Sequence, residues 1–119
     1  MGTERKGIFY STSTGATPVE KWLNNQNPKI QAKILRYMEL IEKHSDIGNF
    51  KFVKALGNGL FEFSLKIDKQ WPRIIYFYFK DDQIIYLHGF LKKSNRTPAN
   101  EIKIAKKRMN DFYKRKGNQ

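Results

Sequence analysis

The chain has 119 residues, 39% hydrophobic and 14% aromatic, and its 23 Lys+Arg against 11 Asp+Glu give a formal net charge of +12. A chain this long buries about two-thirds of its unfolded surface, enough for one core and too little for two, so a single domain over residues 1–119 is expected. With no cysteine and only His44 and His88, a disulfide scaffold, a cysteine-ligated zinc finger and a thiol nucleophile are excluded, and neither a metal nor a cofactor is expected.

The first predicted element is an edge strand over residues 7–10. Thr17-Pro18-Val19-Glu20 reads as a capping box with proline at the first helical position, opening a short helix over residues 18–25 with Trp22 and Leu23 on its apolar side. Asn27-Pro28 opens a second helix to about residue 44. Its Ile30, Ile34, Tyr37, Met38 and Ile41 recur at helical spacing, so the two helices should pair as a hairpin. The period then changes. Phe61, Phe63, Leu65 and Ile67 alternate with Glu62, Ser64 and Lys66, the pattern of a half-buried strand with a polar face. Residues 73–79 and 84–91 are apolar on both faces and read as central strands joined by a hairpin at residues 80–83, with Pro72 at a strand entry. Thr97-Pro98 starts a last helix to about residue 114, burying Ile102, Ala105, Met109 and Phe112 and presenting Lys103, Lys107 and Lys114 on its other side. The expected fold is α+β: an N-terminal helical hairpin packed on a twisted antiparallel sheet of three to four strands, with a C-terminal basic helix.

Charge is unevenly spread. From Leu91 onward ten Lys/Arg face only Glu101 and Asp111, which places +8 of the +12 there. This is either a solvated helix with a basic tail or a phosphate-contacting surface whose affinity falls with salt. No apolar run approaches the roughly 18 residues of a membrane span. No charged-then-apolar leader opens the chain, and Lys6 stands where a myristoylation signal needs Ser or Thr. A soluble cytoplasmic protein without membrane contact is expected.

Three stretches in order carry a family resemblance. They are Val53-Lys54-Ala55-Leu56-Gly57-Asn58-Gly59-Leu60-Phe61-Glu62, then Pro72-Arg73-Ile74-Ile75-Tyr76-Phe77, then Leu87-His88-Gly89-Phe90-Leu91-Lys92-Lys93 followed by Thr97-Pro98 and Glu101-Ile102. Over residues 7–116 the chain resembles a RelE/ParE superfamily toxin, and within it the phage-derived HigB-like branch of type II toxin–antitoxin systems. The resemblance implies a RelE-like fold and a ribosome-dependent mRNA endonuclease that cuts in the A site. It also implies a cognate antitoxin, usually with a helix-turn-helix domain. Because the superfamily includes gyrase poisons, a ParE-like gyrase-inhibiting toxin stays open, and composition alone permits a non-catalytic basic module that binds nucleic acid or protein.

RNA cleavage without a metal needs a group to deprotonate the 2′-hydroxyl, positive charge for the transition state and a donor for the leaving 5′-oxygen. The sparse histidines and the lack of an acidic cluster favour that route, with a 2′,3′-cyclic phosphate product. Arg73 opens a hydrophobic strand, and the resemblance puts it at the family's catalytic arginine; the plain alternative is a pair with Glu62 or Asp68. The resemblance aligns Lys92 and Lys93 with a basic active-site pair, Lys93 standing where arginine is usual and so losing a bidentate grip. It also makes Lys54, ahead of the first long strand, a base or phosphate contact, and Glu62 a general base or the partner of Arg73. The branch often has a basic residue where Ser64 stands. Lys51, Lys103, Lys107 and Lys114 are the expected RNA contacts. His88 reads as a core histidine before a proton shuttle. Tyr76 and Tyr78 read as core aromatics before base-stacking groups, and His44 as a helix C-terminal residue.

Overall fold

The computed structural model describes residues 4–44, 50–80, 82–92 and 97–117. The elements run β1 (Lys6–Phe9), α1 (Pro18–Asn24), α2 (Pro28–Lys43), β2 (Val53–Gly57), β3 (Leu60–Ser64), β4 (Trp71–Phe79), β5 (Gln83–Lys92) and α3 (Ala99–Lys116). The strands form one sheet in the order β1-β5-β4-β3-β2. This is the expected α+β class, but the sheet has five strands rather than three to four, and it is mixed rather than antiparallel.

Both differences have a local cause. Asn58-Gly59 supplies the two positive φ angles, 56° and 84°, that a two-residue type I′ turn requires. The segment before it therefore folds back as β2, with Val53 opposite Phe63 and Lys54 opposite Glu62. At the other edge β1 pairs in parallel with β5, Lys6 opposite Gln83 and Phe9 opposite Tyr86. The chain leaves β1 through α1 and α2 and returns at the far edge, so β1 and β5 run the same way when they meet.

The caps divide similarly. Asn27 caps α2, its Oδ1 accepting the Ile30 N–H at 2.9 Å. Thr17 does not close a capping box: its hydroxyl donates to Glu20 Oε1 at 2.9 Å instead of accepting a backbone N–H. Thr97 does not cap α3 either, and the helix begins one residue later than expected with Pro98 at the cap.

Helices α1 and α2 cover one face of the sheet and α3 the other. On the first face Val19, Leu23, Ile34 and Met38 pack on Phe63, Ile74, Tyr76 and Tyr86. On the second, Ala105, Met109 and Phe112 pack on Leu60, Ile75, Phe77 and Ile85. Strands β4 and β5 are thus buried on both sides, as their composition predicts. The expected helical hairpin is loose: α1 lies against β5 and α2 reaches β1, each closer to the sheet than to the other. Tyr76 is fully buried and Tyr78 packs against the same core, so both are structural aromatics. Among the described residues no helix is long and apolar enough to cross a membrane.

Gly89 lets α1 approach β5. A Cβ there would stand 2.5 Å from Cε3 of Trp22, with further ring atoms at 2.8 and 2.9 Å. Gly89→Ala is expected to lower stability by about 1–3 kcal/mol through this overpacking, read as a shift of the urea midpoint with unchanged slope.

Candidate functional site

Antiparallel register places side chains of opposed residues on the same sheet face. Lys54, Glu62, Ile75 and His88 therefore form one row across β2, β3, β4 and β5 on the α3 face, and Ser64, Arg73 and Phe90 form the next. Trp71 and Lys92 make a third row, about 7 Å further along the strands.

Glu62 is the centre of the first two rows. The expectation of a polar, half-exposed face on β3 is overturned: Glu62 has 0% exposure and Arg73 only 2%. The reason is that β3 is covered on both sides, by the α2 core through Phe63 and on the α3 side beside Leu60. Glu62 Oε1 accepts from Arg73 Nη1 at 2.9 Å and lies 3.8 Å from Lys54 Nζ. Its Oε2 accepts from the Thr97 hydroxyl at 2.6 Å, and Arg73 Nη1 also lies 3.4 Å from that hydroxyl. Arg73 further stands 5.9 Å over the Trp71 ring. Ser64 lies directly opposite Arg73, where a basic side chain would press a second positive charge on the guanidinium.

The sequence-predicted residues thus separate by environment. Arg73, Glu62 and Lys54 come together, but the first two are sealed and only Lys54 reaches solvent, its side chain 47% exposed. Lys54 lies within β2, not in a loop ahead of the strands. Lys92 stands half-buried on the edge row, and Lys51 is exposed just before β2. Lys93 lies outside the described residues. Lys103, Lys107 and Lys114 are exposed on α3.

Two participants were not singled out from sequence. Thr97 carried a signal, Thr before Pro, but for a helix cap; its hydroxyl goes to Glu62 instead. Arg108 was hidden among the basic residues of α3. Its Nη1 donates to Leu87 O at 2.8 Å and lies 3.3 Å from His88 Nδ1, while His88 Nε2 is 2.8 Å from Glu101 Oε1. An arginine has only donors, so His88 Nδ1 accepts and Nε2–H donates to Glu101. Burial, the largest influence, pushes the imidazole below its ordinary 6.5; the Glu101 hydrogen bond opposes it and the Arg108 charge reinforces it. His88 is accordingly a neutral, partly buried link between β5 and α3. Among the described residues no three or more His, Cys, Asp or Glu side chains gather as a metal site would need.

With this geometry in place, the comparison with known families is decisive on one point. Residues 21–110 match the family described as Phage derived protein Gp49-like (DUF891). The chain belongs to that family. The matched span contains the whole Glu62 cluster and the His88–Arg108 link, and it ends before Lys114. No curated protein matches this Gp49-like chain.

Two outcomes follow for the Gp49-like domain. Arg73→Ala strands a buried carboxylate and is expected to cost about 3–5 kcal/mol in urea unfolding, whereas the double variant Arg73→Met/Glu62→Leu recovers most of it. A His whose folded value is depressed favours the native state above 6.5 and loses that preference as pH falls, because the unfolded chain takes the proton first. Stability is therefore expected to decline below pH 6.5, and His88→Gln to flatten that decline, measured as unfolding midpoint against pH.

Proposed function

We propose that this Gp49-like protein is the toxin of a type II toxin–antitoxin system of RelE type, in the HigB-like branch. In this reading it cleaves mRNA on the ribosome, arrests growth and is neutralised by a cognate antitoxin, in the cytoplasm. The observation that carries the proposal is that exposed Lys54 and half-buried Lys92 share one sheet face with the buried Arg73–Glu62 pair, with Lys51 exposed just before β2. The sequence resemblance and the family match agree with it.

In this reading the lysines and the buried pair have different tasks. Lys54 meets the scissile phosphate as a solvent-facing cation, and Lys92 at the end of β5 adds charge that stabilises the transition state; Lys93, which lies outside the described residues, is given the same task. Arg73 and Glu62 act as positioning residues: the carboxylate orients Lys54 across the strand pair, and the guanidinium holds the carboxylate. The 2′-oxygen bonds to the adjacent phosphorus as the P–O5′ bond breaks, and the proton lost by the 2′-hydroxyl ends on the 5′-oxygen, giving a 2′,3′-cyclic phosphate and a 5′-hydroxyl end. The basic surface of α3 lies against ribosomal RNA.

The burial of Arg73 also favours a second reading, a basic module that binds RNA without cutting it. Inducible expression separates the two. Lys54→Ala, which removes the exposed cation without setting a second carboxylate beside Glu62, is expected to abolish growth arrest, while Lys33→Glu on exposed α2 stays fully toxic. Transcripts from arrested cells should show new 5′ ends at codon boundaries. Arrest with intact transcripts would reject cleavage, and arrest with DNA damage instead would point to gyrase.

A further inference from the structure

Away from the Glu62 cluster, a cleft of about 430 Å³ opens between residues 10–13 and the flank of α3. Its walls are Tyr10, Thr12 and Ser13 on one side and Lys107, Arg108 and Asp111 on the other. The donors outnumber the acceptors. Arg108 is fixed through Nη1 by Leu87 O and His88 Nδ1, so its remaining N–H groups are held rather than mobile. Lys107 is exposed and has no ion pair among the described residues. Within the loop Thr12 N–H goes to Ala16 O, Gly15 N–H to Thr12 O and Ala16 N–H to Thr12 Oγ1, leaving the N–H groups of Ser13 and Thr14 outside these bonds.

The one carboxylate in the cleft is already occupied. Asp111 Oδ2 accepts from Tyr10 OH at 2.6 Å and from Arg115 Nε at 3.0 Å, with Arg115 Nη2 at 2.8 Å. Arg115 also donates to Ser11 O, which bolts the loop to the helix and gives the cleft a fixed width. What lines the cleft besides that carboxylate is a lysine, an oriented arginine and Ser13 with its hydroxyl, a set suited to phosphate oxygens.

We propose that this cleft is a backbone-phosphate subsite for single-stranded RNA, with Arg108 as its fixed cation and Lys107 as its second. The proposal rests on the RNA reading above and adds a location to it: the strand is gripped on the β1 side of α3 as well as at the Lys54 rim. His88 is the positioning residue that holds Arg108.

The test is fluorescence anisotropy of a labelled oligouridine with the full chain. At about 50 mM salt, losing one phosphate contact should weaken binding by about tenfold, and the slope of log affinity against log salt should fall by about 0.7. Lys107→Ala and Ser13→Asp are each expected to show the loss, Lys107→Ala with the smaller slope, and Lys33→Ala neither. Adding the oligomer should shift the Ser13 and Thr14 amide resonances. Wild-type affinity and slope in Lys107→Ala, with Lys54→Ala weakened, would overturn the subsite and leave the RNA reading standing. If neither variant weakens binding, both fail. Saturation of those amides by inorganic phosphate without any loss of RNA affinity in Lys107→Ala identifies a small-anion site and also overturns the proposal.

Discussion

A carboxylate removed from water is tolerated only where donors surround it, and Glu62 is surrounded by groups from three other parts of the chain. Arg73 comes from β4, Lys54 from β2 and Thr97 from the segment that enters α3. Satisfying this one side chain therefore fixes the register of three strands and the point where the last helix starts. A one-residue slip of β3 would turn Glu62 to the other sheet face, into the apolar core under α1 and α2. The apolar faces supply most of the driving force for folding, but they discriminate poorly between registers. The ion cluster supplies the discrimination.

Much of this was legible in the residues, and the failures share a cause. Proline positions and helical spacing located α1, α2 and α3 within a residue or two, because those signals are local. The two-sided apolar runs located β4 and β5 for the same reason. Alternation in β3 was read correctly as a strand but wrongly as half-exposed, since alternation reports side-chain direction and cannot report that a second layer will cover the polar side. Lys54 was placed in a loop because β2 is short and mixed in polarity; only the Asn58-Gly59 turn marked it. The pairing of β1 with β5 has no local signature.

The candidate site shows the same division. Arg73 and Glu62 were singled out, and their pairing was among the alternatives considered, because a charge inside an apolar strand needs a partner. Their burial was not legible. Thr97 was misassigned because a Thr-Pro pair is a strong cap signal, and here the hydroxyl has a stronger acceptor than a backbone amide. Arg108 could be found only from the structure: in sequence it is one of many basic residues on α3, and what distinguishes it is the imidazole and carbonyl that hold it. The helix thereby serves two surfaces, with Thr97 at its entrance meeting Glu62 and its middle turns facing the β1 loop.

The parallel pairing of β1 with β5 bears on how the chain is made. Lys6 finds its partner only at Gln83, and the loop after β1 finds Asp111 and Arg115 later still. A nascent chain emerging N-terminus first carries β1 unpaired until β5 has been synthesised, and contacts so distant in sequence form late. The cleft beside α3 cannot exist on a partial chain. The sheet is therefore complete only once β5 has been made, and the cleft only once α3 has followed it.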